Sequence, residues 1–170
     1  MQSNTPGLNS PHKLTLYHPP GHVLATRGNP FGKDIANAGL FRALARYGSY
    51  QALHVLHQSG ATAEQLSLEF YPPGGPQAQL STGSLWNTTL AASSGVLLRG
   101  QPYLAELAWM RRNAGPEASS ADASYSLAGL IHTIAPPAIR EQIAAAALAP
   151  VQPWDALICT SPAVQAAMER

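Results

Sequence analysis

Residues 125–149 read YSLAGLIHTIAPPAIREQIAAAALA, and the break inside that stretch decides the fold. Tyr125 to Thr133 is a continuous run, apolar enough for a strand buried on both faces, as parallel sheets require. It stops at Ala135-Pro136-Pro137. From Pro137 to Ala149 the residues Ile139, Ile143 and Ala147 recur at helical spacing, and a proline at the start of a helix forfeits no hydrogen bond. Further on, Pro150 and Pro153 precede a second short apolar strand, Ala156 to Thr160, and Ser161-Pro162 opens an alanine-rich helix. Strand, helix, strand, helix with short proline-marked connections predicts an α/β fold: an open Rossmann-like parallel sheet with helices on both faces.

The same alternation continues toward the N-terminus. Residues 1–12 are polar, with Pro6, Gly7 and Pro11, and are expected to be a disordered tail, leaving 13–170 as the domain. Lys13 to His18 predicts the first strand, ended by Pro19-Pro20-Gly21. After a glycine- and proline-rich loop, a helix is expected from Asp34 to Tyr47. Ala36, Leu40, Ala43, Leu44 and Tyr47 form its apolar stripe, Arg42 and Arg46 lie opposite, Asp34 serves as N-cap and Gly48 as stop. Gln51 to His57 reads as the second strand. Between Ser59 and Gly95 the signal is poor, split by Pro72-Pro73-Gly74-Gly75-Pro76. Thr62-Ala63-Glu64-Gln65 fits the cap of a helical turn, Leu66, Leu68 and Phe70 alternate like a short edge strand, and Trp86 to Ala92 fits a short helix. Val96 to Leu98 is the next strand. Pro102 then opens a helix with Leu104, Leu107, Ala108 and Arg111 on one face, closed by Gly115-Pro116, and Glu117 to Ser124 is a polar linker.

Composition narrows the function. At 170 residues the chain is most simply one domain, and its last helix carries no glycine or proline stop signal, so a domain truncated at that end is expected. The net charge of +1, with 11% charged residues, supplies no basic field for a nucleic-acid backbone. The single cysteine, Cys159, excludes an internal disulfide and a multi-cysteine zinc site, and its apolar neighbours suggest an inert buried thiol. MQSNTPGLNSPHK at the N-terminus has no apolar leader run, and no window approaches the roughly 20 apolar residues that span a bilayer. A cytoplasmic protein without a transmembrane segment is expected.

Two places carry possible chemistry. Gly28-Asn29-Pro30-Phe31-Gly32-Lys33-Asp34 stands at the mouth of a helix, where glycines admit close approach and free amides favour an anion. It is neither the Gly-x-Gly-x-x-Gly of dinucleotide-binding proteins nor a P-loop, and a loop that merely turns the chain remains an equal alternative. The six histidines do not read as a metal centre. His54 and His57 lie three apart on a strand and point to opposite faces, and His18 and His22 flank a loop without an acidic neighbour. His132 is different, because it sits near the carboxyl end of a strand expected to be central, where open α/β sheets collect ligands. A structural histidine and a functional one both fit that position. No Gly-x-Ser-x-Gly motif is present.

Taken together, NPFGKDIANAGLFRALARYG (29–48), YSLAGLIHTIAP (125–136) and VQPWDALICTSPAVQAAMER (151–170) resemble the N-terminal half of retaining glycosyltransferases of the GT-B fold, the family 4-like group. The likeness spans roughly 13–170 and is strongest from Tyr125 onward. It rests on Leu44-Ala45 closing the helix after the loop, on His132-Thr133 ending a strand, and on Asp155 to Ser161. The resemblance implies an acceptor-side domain of an enzyme that moves a sugar from a nucleotide-sugar donor to a carbohydrate or small-molecule acceptor; no cofactor or metal is expected. A C-terminal donor-binding domain, which has no counterpart here, would complete it, and the chain alone would not catalyse transfer. It implies His132 as the catalytic-site residue and Gly28, Asn29, Phe31, Gly32, Lys33 and Thr133 as ligand-binding residues. The loop departs from the family's commoner glycine pair, since Pro30-Phe31 precede a single Gly32. A stand-alone α/β binding module, and a structural partner completing another chain's cleft, are the alternatives.

Overall fold

The computed structural model describes residues 12–18, 32–57, 60–71 and 78–170, and in these the strands alternate with helices. The expected tail up to residue 11, the loop 19–31 and the segment 72–77 lie outside the described residues. The strands are β1 (Lys13–His18), β2 (Ala52–His57), β3 (Gln79–Ser84), β4 (Val96–Arg99), β5 (Ser126–Ile131) and β6 (Ala156–Cys159). They form one sheet in the order β3-β2-β1-β4-β5-β6, and every pairing is parallel. The chain therefore builds outward from β1 through β2 to β3, returns to place β4 against the other side of β1, and builds outward again. At such a reversal the connections leave the sheet in opposite directions, opening a crevice outside the carboxyl ends of β1 and β4. The fold is Rossmann-like α/β, as the sequence predicts.

Side chains alternate across each strand and feed two cores. On one face Leu14, Leu16, Leu53, Val55 and Leu98 pack under α1 (Gly32–Tyr47) and α2 (Ala63–Phe70), which contribute Phe41, Ala45, Leu66 and Phe70. On the other, Tyr17, Leu56, Leu97 and Leu127 pack under α3 (Thr88–Ser94) and α4 (Leu104–Arg112), which contribute Ala91, Leu104, Leu107 and Ala108. The shorter α5 (Ala118–Asp122) precedes β5, while α6 (Pro137–Ala145) and α7 (Pro162–Met168) flank β6.

Several elements differ from the sequence reading. Leu66, Leu68 and Phe70 belong to the helix α2, whose N-cap Thr62 and residue Gln65 form a reciprocal capping box. Leu66 and Phe70, one turn apart, face the core, and Leu68 is left 84% exposed. Residues 79–84 form the edge strand β3, and Glu117 to Ser124 contains α5 rather than a plain linker. Helix α1 starts at Gly32, which puts Asp34 in the first turn instead of at the cap. Its buried side is Asn37, Ala38, Phe41 and Ala45, so Ala36, Ala43 and Tyr47 face solvent. Arg42 and Arg46 brace the helix against α2, donating to the Glu69 carboxylate and to the carbonyls of Glu69 and Phe70. Strand β5 is internal but next to the edge, flanked by β4 and β6, and the centre belongs to β1 and β4. The last turn of the helix expected to reach Ala149 is a 3-10 turn, Ala146–Leu148. Cys159 is half-buried rather than enclosed.

The amino ends of β5 and β6 are tied by a buried ion pair. The Arg111 guanidinium, wholly inaccessible, donates through Nη1 and Nη2 to Oδ1 and Oδ2 of Asp155, both at 2.8 Å. Further bonds are made locally: Arg111 also donates to the carbonyls of Tyr125 and Pro150, and Asp155 accepts from the amides of Leu127 and Gln152, while Arg111 Nε is buried without a hydrogen-bond partner among the described residues. One side-chain pair thus fixes α4, the start of β5 and the approach to β6. A two-pronged arginine–carboxylate pair holds direction as well as distance.

Candidate functional site

Because all the strands run the same way, their last residues share one edge of the sheet, and this edge is rich in polar groups. His18 ends β1, His57 ends β2, Arg99 ends β4, and His132 follows β5. His18 is spoken for by packing, edge-on to the Phe41 ring and stacked on that of Phe70. His54 and His57 do lie on different faces: His54 bonds through Nδ1 to the Ser81 hydroxyl and through Nε2 to that of Ser93 on α3. Among the described residues no cluster of three or more histidine, cysteine or carboxylate side chains is placed to share a metal ion.

At the reversal between β1 and β4, three parts of the chain meet. The Asn37 Nδ2 group donates to the Gly100 carbonyl at 2.9 Å, and the Asn37 Oδ1 atom faces His132 Nε2 at 2.8 Å. The two bonds fix each other's sense. With the amide nitrogen committed to a carbonyl, Oδ1 can only accept, so His132 Nε2 carries a proton and, in the neutral ring, Nδ1 holds the lone pair. Gly100 is required here for a steric reason: a Cβ at this position would stand 2.5 Å from Asn37 Cγ and 2.5 Å from its Nδ2. Asn37 occupies a buried helix position for the same reason that most buried amides do, namely that both of its polar ends are satisfied.

Burial lowers the affinity of His132 for a second proton, the nearby Lys33 ammonium works in the same direction, and the Gly100 backbone and Asp34 oppose it. His54 is shifted the same way, by burial and by Lys13. A histidine that resists protonation in the folded state contributes stability above its unfolded value, near 6.5, which is lost as the pH falls toward the lower folded value. Urea midpoints should therefore fall between pH 7.5 and pH 5.5, and the double variant His54→Gln/His132→Gln should show a shallower fall. An equally steep fall in that variant would assign the pH dependence to other groups.

On the opposite face of the same edge, Arg99 is 6% exposed and lies between the rings of Tyr17 and Tyr103, its guanidinium carbon 4.8 Å from each ring centre. Nη1 donates to the Tyr103 carbonyl and to Glu106 Oε2. The crevice is thus bounded by the start of α1 on one side and by a fixed cation on the other.

The expected site residues divide as follows. Gly28, Asn29 and Phe31 lie outside the described residues. Gly32 and Lys33 form the exposed start of α1, with open space where a Gly32 side chain would be, and Lys33 acts on His132 through its charge. Thr133 is exposed, and its hydroxyl accepts from the Ala135 amide, turning the chain away after β5. Asn37, Gly100 and Arg99 belong to the site and were not anticipated. The only sequence signal for Asn37 is an amide set one position before the Ala38–Phe41–Ala45 face, and for Gly100 a glycine directly after an apolar strand. No protein-family model matches this chain, and comparison with curated proteins and with solved structures likewise finds no match.

Proposed function

We propose that the chain is the acceptor-side domain of a GT-B glycosyltransferase, with the reaction crevice at the β1/β4 reversal and His132 at its floor. The observation that carries this reading is the Gly100–Asn37–His132 chain of hydrogen bonds, which orients the His132 imidazole at the ligand edge of a Rossmann-like sheet, where burial disfavours its protonation. A neutral imidazole with an available lone pair accepts a hydrogen bond from a sugar hydroxyl, whereas an imidazolium does not. The amides at the start of α1 assist an anionic group, such as a departing diphosphate, and a donor-binding domain supplies the main clamp. Low overall charge agrees with a neutral acceptor and with the absence of a nucleic-acid partner. The same reading places the reaction in the cytoplasm, where a lone cysteine stays reduced. Among the described residues no helix is long and apolar enough to cross a membrane.

Calorimetric titration of residues 1–170 with neutral saccharides, alongside nucleotide release from a panel of nucleotide-sugars, tests the proposal. Saccharide binding without turnover is expected, and His132→Ala should weaken it tenfold or more while leaving the melting temperature within a few degrees. Turnover by the chain alone contradicts the division of labour. A variant that melts early yet binds normally makes His132 a structural residue.

A further inference from the structure

A second cavity lies away from His132, at the other end of the same sheet edge. It is an open cleft of about 600 Å³, lined by His57 at the end of β2, by Gly60 and Ala61, and by Thr82, Ser84 and Trp86 at the end of β3. A volume of this order admits a ligand the size of a sugar ring. Trp86 is 73% exposed, although an indole normally gains by burial. Its backbone is nevertheless fixed: the Trp86 amide donates to the Ser84 hydroxyl at 3.2 Å, and the Asn87 amide donates to the Ser84 carbonyl at 2.9 Å, closing a turn at the strand end. Gly83 allows this turn to sit close, with a Cβ there coming within 3.0 Å of Leu90. The result is an exposed aromatic surface at the lip of a cleft lined by both hydroxyl-bearing and apolar residues.

The lining states what would fit. Two hydroxyls, Thr82 and Ser84, both donate and accept, while no aspartate, glutamate, lysine or arginine lines the cleft among the described residues. Among the described residues the lining offers no counter-charge to a phosphate or a cation. We propose that the cleft is a second ligand seat that takes one neutral, hydroxyl-bearing sugar ring, with an apolar ring face against Trp86 and its hydroxyls toward Thr82 and Ser84. The ends of β2 and β5 are three strand spacings apart, about 14 Å. A single ring does not reach both places. If the crevice at His132 is a transfer site, a point that rests on the function proposed above, the acceptor is a chain of linked sugars whose remote unit sits on Trp86. The seat itself does not depend on that reading.

The test uses residues 1–170 carrying Trp109→Phe and Trp154→Phe, so that Trp86 alone reports, titrated with neutral hexoses and their oligomers of increasing length. Fluorescence of Trp86 should change on binding, and the oligomers should bind at least tenfold more tightly than the single sugar. In the otherwise unchanged chain, followed by calorimetry, Trp86→Ala should remove that advantage and Trp86→Phe should keep most of it. His132→Ala should leave the change at Trp86 in place, so failure at His132 marks failure of the transfer reading and not of this one. Saccharide binding indifferent to Trp86→Ala, a response to nucleosides but not to saccharides, or no response to any saccharide overturns the proposal.

Discussion

Replacing Asp155 with alanine should lower the melting temperature by about 10 °C, the largest loss expected from any single change outside the apolar core. The carboxylate is the partner of Arg111, both side chains are wholly inaccessible, and four hydrogen bonds converge on its two oxygens. Removing it leaves a guanidinium enclosed without its counter-charge, and breaking a buried pair in this way costs about 3–5 kcal/mol. For a domain of this size each kcal/mol corresponds to about 2–4 °C. The Leu127 and Gln152 amides also lose their acceptor, so the loss should be seen first at the amino ends of β5 and β6. The double variant Arg111→Met/Asp155→Leu should recover a large part of the stability, because the enclosed charge disappears with its partner. Thermal melts of the three proteins decide it. A single variant within 2 °C of the parent would show that the pair is open to water.

Gly100→Ala should act on the crevice rather than on the sheet. The new methyl group would overlap the Asn37 amide at 2.5 Å, which no rotation of the methyl relieves. Asn37 must swing away, and the bonds to the Gly100 carbonyl and to His132 are lost together. Overpacking costs about 1–3 kcal/mol, and a buried amide left without partners about 1–3 kcal/mol more. Saccharide binding at the crevice should fall tenfold or more. Adding Asn37→Ala makes room for the methyl and should restore most of the stability, but not the binding, since His132 still lacks its anchor. Parallel melts and titrations separate the two effects. Binding that returns along with stability would mean that Asn37 only fills space.

Much of this arrangement was legible because the strands β1, β2, β4, β5 and β6 are apolar runs ended by proline, glycine or polar clusters, and because α4 and α6 follow a proline. What escaped was polar. The strand β3, QLSTGS, lies at the sheet edge with one side unpaired, and needs few apolar residues. Helix α5, ASSAD, is five residues long and has no apolar periodicity to detect. In α2 the alternation of Leu66, Leu68 and Phe70 imitated a strand, although the capping box Thr62–Gln65 already marked a helix start. The stripe on α1 was displaced by one position because hydrophobic pattern favours Ala36 over Asn37, whereas the fold buries Asn37 and satisfies its amide with two partners from β-strand ends. His132 was found by its place at the end of a strand. Its partners were not, because 95 and 63 residues separate Asn37 from His132 and from Gly100, and only the strand order brings them together.

Chemical-shift mapping of the 15N-labelled chain during titration with a neutral oligosaccharide addresses the central claim, that the crevice at the β1/β4 reversal is the ligand seat. The amides of Lys33, Asp34 and Asn37 on α1, of Gly100 and Gln101 after β4, and of His132 and Thr133 after β5 should move together with one affinity, and their movement should vanish in Gly100→Ala. Shifts confined to the β2–β3 end of the edge, or to neither end, with these seven amides unmoved, would contradict the claim.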